Sequence, residues 1–386
     1  MKKYNLLGVG IQVNRELEEH EKSYISNFVA DILRRKYPYL SCNYLDIVTM
    51  LYNTQMYVVE DKVGLSSVNY IYQDKSIYYS CKKDLNNIDE LILHECIHKI
   101  QDKRDKHNKL MQMGNCEFTL SKVKGLYFNE AAIQYIVLSL LNKKSEIVEY
   151  RGIKLKNYNS SYCSLITNLI YQIMLLVNEE NILVRSTIEA NNDFNYKMID
   201  YFGEKEFYKI RDNFDKIAEY QFRNDINDVS ENLINTYKET TKIIAENYFT
   251  KCLKYVDKLD EIEELKNKLN KYIEYIEIEK KKDENEIYNS ILSKLLEKET
   301  ELKNKYALVV VKNGILKKAV KQSHFGISNS EKSFSINVTL FFSSSVNLSN
   351  IKIGFNCLSM ATTLYPFFII YTVSFPAPHP KSTTLL

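Results

Sequence analysis

The chain has no tryptophan, no Cys-x-x-Cys pair among its seven cysteines, and no excess of charge: 52 Lys and Arg stand against 49 Asp and Glu, a formal net charge of +3. Each absence excludes something. Cysteines that are scattered and odd in number (Cys42, Cys81, Cys96, Cys116, Cys163, Cys252 and Cys357) do not make a disulfide framework, and a chain of 386 residues needs none to bury a core. They read as reduced cytosolic thiols. A nearly neutral chain has no general attraction for nucleic acid or an anionic membrane, so no nucleic-acid partner is expected. The start lacks a long apolar run: the stretch after Met1-Lys2-Lys3 is broken by Gln12 and Asn14 and meets Glu16, Glu18 and Glu19. No signal peptide is read there, and a cytoplasmic location is expected. What is present, 45% apolar and 26% charged residues, is the composition of a folded globular protein.

Composition divides the chain. Beyond Tyr306 lie four of the five prolines, seven lysines and one acidic residue, Glu331, giving that part a charge of +6 against −3 for residues 1–306. This sets a boundary near 306 and makes 307–386 a Ser- and Pro-containing basic tail. It reads either as poorly structured or as a weak membrane anchor: Phe355 to Phe375 has the length to cross a bilayer but is diluted by Asn356, Ser359, Thr362, Thr363 and Pro366. An inserted tail would attach a cytoplasmic protein to the membrane. Residues 226–306, without Gly or Pro, predict a long charged helix or helical hairpin. Within it Ile262, Leu265, Leu269, Ile273 and Ile276 recur three and four apart, a seam that serves either self-association as a coiled coil or docking on the chain's own core.

Residues 146–225 carry apolar helix faces, Leu165, Leu169, Ile173 and Leu176 and then Phe207, Ile210, Phe214 and Ile217, and are expected to form a helical subdomain that completes a cleft. The first 145 residues differ. A helix is expected over Glu16–Arg35, then short strands at Gln55–Val59, Ser67–Gln73 and Ser76–Ser80, the last two joined by a tight turn at Asp74-Lys75. The fold class expected is α+β, mainly helical.

A further helix, expected over Asn86–Arg104, contains His94-Glu95-Cys96-Ile97-His98. Four residues advance a helix by about 400°, so the two imidazoles stand one above the other and can reach one metal ion. Glu95, about 100° round the helix from His94, lies beside the metal, where a carboxylate can take a proton from a water on it. Cys96 turns toward the core with Leu91, Ile92 and Ile100. A catalytic zinc site uses three protein ligands and keeps one position for water. No third His follows at short spacing, so a carboxylate is needed. Glu130, in the first turn of the apolar helix after Gly125, would face the two His from an antiparallel helix, with Ala131 and Ala132 permitting close approach. The alternative is that Glu130 only complements the helix dipole.

His94-Glu95-Cys96-Ile97-His98 followed by Asn129-Glu130-Ala131-Ala132 resembles the gluzincin group of zinc metallopeptidases. Gly125-Leu126-Tyr127-Phe128-Asn129-Glu130-Ala131, with Gln134-Tyr135, is similar to a signature of uncharacterised zinc-protease-like proteins of Gram-positive bacteria. The resemblance covers residues 50–145 in motif and extends to 220 in helical layout. It implies a minimal zincin-like domain over 1–145, a short antiparallel sheet plus two metal-bearing helices. It further implies that His94, His98 and Glu130 ligate one Zn²⁺, that Glu95 is the general base and that Asn129 neighbours the third ligand. Gln134 stands where thermolysin-like enzymes carry an Asp that orients a ligand His; an amide still accepts the ring N–H but brings no negative charge. No downstream His is found to stabilise an oxyanion, and Tyr127, Tyr196, Arg185 and Arg211 are candidates by type alone. In zincin-like folds the edge strand beside the metal holds extended substrate, a place expected for Ser76–Ser80.

The activity implied is zinc-dependent hydrolysis of a peptide or protein substrate. Two alternatives stand beside it. One is a regulatory protease of the ImmA/IrrE type, which shares H-E-x-x-H and a helical Glu but usually acts beside a helix-turn-helix repressor, and no such reading helix is found here. The other is a non-enzymatic zinc-binding protein whose long charged helix recruits a partner. Glu95 argues against the latter, because a structural zinc needs no free carboxylate beside it.

Overall fold

The computed structural model describes residues 3–6, 9–61, 66–118, 123–150, 153–157, 163–222, 226–276, 285–323, 336–337 and 352–353. The chain separates into two compact units, Met1–Val311 and Lys312–Leu386. The first is mainly helical with small sheets.

The N-terminal part is built on β1 (Lys3–Leu6), β2 (Val9–Glu16), α1 (Glu19–Lys36), α2 (Tyr44–Tyr52), β3 (Gln55–Val59), β4 (Val68–Ile71) and β5 (Ser76–Ser80). The five strands form one sheet in the order β1-β2-β3-β5-β4. Side chains alternate across it as a strand's period of two requires. Met56, Val58, Ile77 and Tyr79 face a core shared with Ile25, Val29 and Leu33 of α1, whereas Tyr57, Val59 and Tyr78 join Ile11 and Val13 on the other face. The expected turn joins β4 to β5, with Lys75 in the left-handed region and the Asp74 carboxylate accepting from the Ser76 N–H at 3.1 Å.

Three expectations are corrected by these elements. The sheet is mixed, not wholly antiparallel, because β3 and β5 run parallel from Gln55↔Ser76 to Val59↔Ser80. As β3 occupies one side of β5 and β4 the other, Ser76–Ser80 is an inner strand, buried along its whole length, and β4 is the edge. The first helix also starts later than the sequence suggests, since Val9–Glu16 is drawn into the sheet as β2.

After the sheet come α3 (Glu90–Ile100), a hairpin of β6 (Asp102–Arg104) and β7 (Leu110–Met113), a second of β8 (Glu117–Phe118) and β9 (Val123–Lys124), and α4 (Leu126–Leu140). A hairpin of β10 (Glu146–Tyr150) and β11 (Ile153–Asn157) leads into α5 (Ser164–Val177), α6 (Glu180–Ile188), α7 (Asp193–Phe202), α8 (Glu204–Phe222), α9 (Ile226–Leu253), α10 (Leu259–Ile276) and α11 (Glu286–Ser323). In the second unit, β12 (Ile336–Asn337) pairs antiparallel with β13 (Lys352–Ile353).

α4 is buried on nearly every side, its apolar residues being spread round the helix with Asn129, Glu130 and Gln134 buried among them. Its Ile133, Ile136, Val137 and Leu140 belong to the core under the sheet, and its Phe128, Ala131 and Ala132 to the core of the helical array. The segments 1–145, 146–225 and 226–306 therefore meet within one compact unit, whose end at Val311 falls inside α11. Ile262, Leu265, Leu269 and Ile273 of α10 lie in the chain's own core, with Ile276 packed against it. Among the described residues no helix is long and apolar enough to cross a membrane, and Phe355 to Phe375 lies outside the described residues.

Candidate metal centre

α3 begins where Asp89 caps it, its carboxylate accepting from the Ile92 N–H at 3.2 Å. Ile92, Leu93, Cys96, Ile97 and Ile100 anchor the helix in the core, which leaves the His94 and His98 side turned toward α4. α4 starts after Gly125, whose φ of +69° and contact with Arg211, 2.2 Å from where a Cβ would stand, admit no side chain. Asp215 accepts from the Tyr127 N–H at 3.1 Å, and Phe128 packs among Phe194, Phe207 and Phe214, which fixes the rotation of α4. Contacts pair Glu90 with Gln134, His98 with Glu130 and Gln101 with Asn129. Rising numbers on one helix meet falling numbers on the other, so α3 and α4 are antiparallel, as expected.

His94, His98 and Glu130 come together between these helices, 3%, 7% and 8% exposed. The two Nε2 atoms are 3.1 Å apart, His94 Nε2 is 3.0 Å from Glu130 Oε2, and His98 Nε2 is 3.3 Å from Glu130 Oε1. Tetrahedral bonds of about 2.1 Å hold their donor atoms about 3.4 Å apart, so these separations fit a common ion. The group could hold a metal ion.

The surroundings fix the rings. Gln134 Nε2 donates to the Glu90 carboxylate, so its Oε1 is the atom 3.1 Å from His94 Nδ1, and an amide oxygen can only accept. His94 therefore carries its proton on Nδ1 and leaves the Nε2 lone pair toward Glu130 and His98. The negative charge that Gln134 does not supply is present one step behind it, on Glu90. Among the described residues His98 Nδ1 is buried without a hydrogen-bond partner, so there this ring is oriented by packing and by its Nε2 side.

With only protons to share, burial would lower the His98 pKa, but the Glu130 carboxylate opposite outweighs it and lifts the ring to about 9. Burial acts to raise Glu130, yet His98 and His94 hold its carboxyl well below the usual range. Glu95, partly exposed beside the ligands, has its pKa pushed up by burial. Its Oε2 accepts from the Tyr70 N–H at 2.6 Å, a backbone group on the free side of β4. Its other oxygen remains for a water.

Compared with protein-family profiles, with characterised proteins and with solved structures, the chain matches none. The site must speak through its own geometry. Asn129 does not touch the ligands: its Oδ1 accepts from Asn115 N at 3.0 Å and its Nδ2 donates to Gln101 at 2.9 Å, tying the end of α3 and the turn after β7 to α4. Arg211 is committed to Glu117 at 2.6 Å and the Lys124 carbonyl at 3.1 Å, and Arg185 to Asp193 at 3.2 Å. Tyr196 is 64% exposed. Of the four oxyanion candidates, Tyr127 is the one whose hydroxyl feels the charge of Glu130, its pKa raised first by burial, then by Cys163 and then by the carboxylates of Glu130, Asp215 and Glu219. Two functional residues escape the sequence reading, Glu90 and Tyr70. Glu90 had a signal, four residues before His94 on the same helix face; Tyr70 had none, because it acts through its backbone.

Proposed function

We propose that this protein is a zinc-dependent metallopeptidase. The observation that carries the reading is the buried group of two Nε2 atoms and one carboxylate with Glu95 held beside it. Two imidazoles and a carboxylate are a donor set suited to zinc, and among the described residues the group has three members, the number catalytic sites use. Zinc held there by His94, His98 and Glu130 would polarise a scissile carbonyl and acidify a water.

The chain's own residues supply the rest. Glu95, with one oxygen fixed by the Tyr70 N–H, takes the proton of the attacking water on the other and returns it to the leaving amine. Burial raises its pKa above the usual carboxylate value, the direction that strengthens it as a base. Gln134 and Glu90 hold His94 in the tautomer that offers Nε2. Edge strand β4, running alongside α3, is the place for main-chain pairing with an extended peptide.

The test is Glu95→Gln in the zinc-loaded full chain, assayed against a pool of quenched fluorescent peptides. Zinc content is expected to be unchanged and hydrolysis to fall by about 10²–10⁴-fold. Undiminished hydrolysis at equal zinc content overturns the reading.

A further inference from the structure

Resting on the peptidase reading, we propose that Lys99 is a substrate-recognition residue that pairs with a carboxylate of the bound peptide. Lys99 follows Glu95 by four residues on α3, so its side chain leaves the same face one turn along. On that face Leu91, Glu95 and Lys99 are all partly exposed, whereas Ile92, Leu93, Cys96, Ile97 and Ile100 are buried. This strip is the part of the metal-bearing helix that solvent, and hence substrate, reaches. The Lys99 ammonium lies 6.0 Å from the centre of the Tyr70 ring, and Tyr70 is the edge-strand residue whose N–H fixes Glu95. The cation thus stands over the ring of the residue whose backbone fixes the general base, one helical turn along from Glu95.

Its charge is not matched within the described residues. The carboxylate acting on it is Asp102, whose side chain is fully buried and already accepts from Arg104 Nε and Nη2, both at 2.7 Å, and from the Tyr70 hydroxyl. Arg104 and Lys75 add positive charge close to Lys99. Among the described residues the Lys99 ammonium has neither a hydrogen bond nor an ion pair, and it lies over the Tyr70 ring. A half-buried ammonium in a cationic corner is poorly satisfied, and a carboxylate arriving with the substrate supplies what it lacks. A second role, complementing the C-terminal dipole of α3, is open to any Lys in the last turn, but it would alter stability and not selectivity.

The carboxylate has two sources, an acidic side chain or the peptide's C-terminus, and the experiment separates them. Zinc-loaded wild type and the Lys99→Met and Lys99→Glu variants are compared on matched peptides carrying Glu or Gln at successive positions, each with a free or an amidated C-terminus. The wild type is expected to favour the acidic member of one pair by on the order of 10–100-fold in kcat/KM. Lys99→Met is expected to level that preference and Lys99→Glu to turn it toward Lys-containing peptides. A preference that disappears on amidation assigns the terminus; one that stays with Glu at a fixed distance from the cleaved bond assigns the side chain. The same peptides are titrated by fluorescence anisotropy into zinc-loaded Glu95→Gln with and without Lys99→Met. Lys99-dependent binding of acidic peptides without wild-type turnover would sink the peptidase reading and leave this inference standing. Equal binding of Glu and Gln peptides, or a preference that survives Lys99→Met, overturns the inference whether or not peptides are cleaved.

Discussion

Inside the helical array, Gln172, Asn168, Tyr237, Thr241 and Tyr272 are buried together, and their hydrogen bonds close on one another. Tyr272 donates to Gln172 Oε1 at 2.8 Å, Gln172 Nε2 to Asn168 Oδ1 at 2.8 Å, Tyr237 to the same Oδ1 at 2.7 Å, and Asn168 Nδ2 to the Lys156 carbonyl at 2.6 Å. Every member is neutral, and Thr241 Oγ1 also accepts from Gln172 Nε2, at 3.3 Å. Between α3 and α4 the pattern is reversed: two ring nitrogens and a carboxylate converge with their lone pairs on one region, and donors sit only behind them, on Gln134. The first cluster is complete as it stands and ties α5, α9 and α10 together. The second needs a cation, a proton at the least. Convergent acceptors, not burial alone, make a group that could hold a metal ion.

That contrast can be broken. The largest effect expected is on metal removal: zinc at 1,000 times its Kd stabilises by about 4 kcal/mol, so a chelator should lower the unfolding temperature of the wild type markedly and leave that of His98→Ala unmoved. An equal response of both would place the stabilising metal elsewhere. Next, Gln172→Leu removes the nearer acceptor of the Tyr272 hydroxyl, leaving the Thr241 carbonyl at 3.2 Å, and the donor to Asn168 Oδ1, and should cost about 1–3 kcal/mol in urea unfolding with zinc content intact. Loss of zinc in this variant would contradict the independence of the two clusters. Gln134→Leu should weaken zinc 10–100-fold, about 1.4–2.7 kcal/mol, in a competition titration, since His94 then loses the bond that sets its tautomer; unchanged affinity would show that packing alone orients the ring.

The smallest effect is a slope with pH. In metal-free protein the His98 pKa stands raised from 6.5 to about 9, so protonated His98 contributes stability in full below 6.5 and loses it as pH rises through 9. Glu130 is depressed below 4.5, so its contribution is present above 4.5 and is lost as pH falls further. Zinc must displace the His98 proton. Its affinity should therefore rise by about tenfold per pH unit on the approach to pH 9 and level off above it, as calorimetric titrations at several pH values would show. A flat profile would mean that His98 is neutral before the metal arrives.

The line between what sequence could and could not reveal follows the range of the interactions. His94 and His98 were legible because helical period alone stacks them, and Glu130 because a helix start with small residues after it announces a close neighbour. The Asp74-Lys75 hairpin was legible for the same local reason. The parallel pairing of β3 with β5 was not, since β3 meets a partner chosen by the folded sheet and not by a turn. It moved the edge from Ser76–Ser80 to Val68–Ile71, and with the edge went the residue that positions Glu95. The α10 seam shows the same limit: period reveals that Ile262, Leu265, Leu269 and Ile273 are buried, and not against what. Glu90 was hidden by its ordinariness, because an acid in the first turn of a helix already has a reason to be there.

The account rests on convergent lone pairs, and metal content tests it most directly. Full-length protein purified without chelator, wild type beside Glu130→Ala, is assayed by elemental analysis. The account predicts about one zinc per wild-type chain and none in the variant. A wild type that holds no metal and takes up none when zinc is added would contradict it.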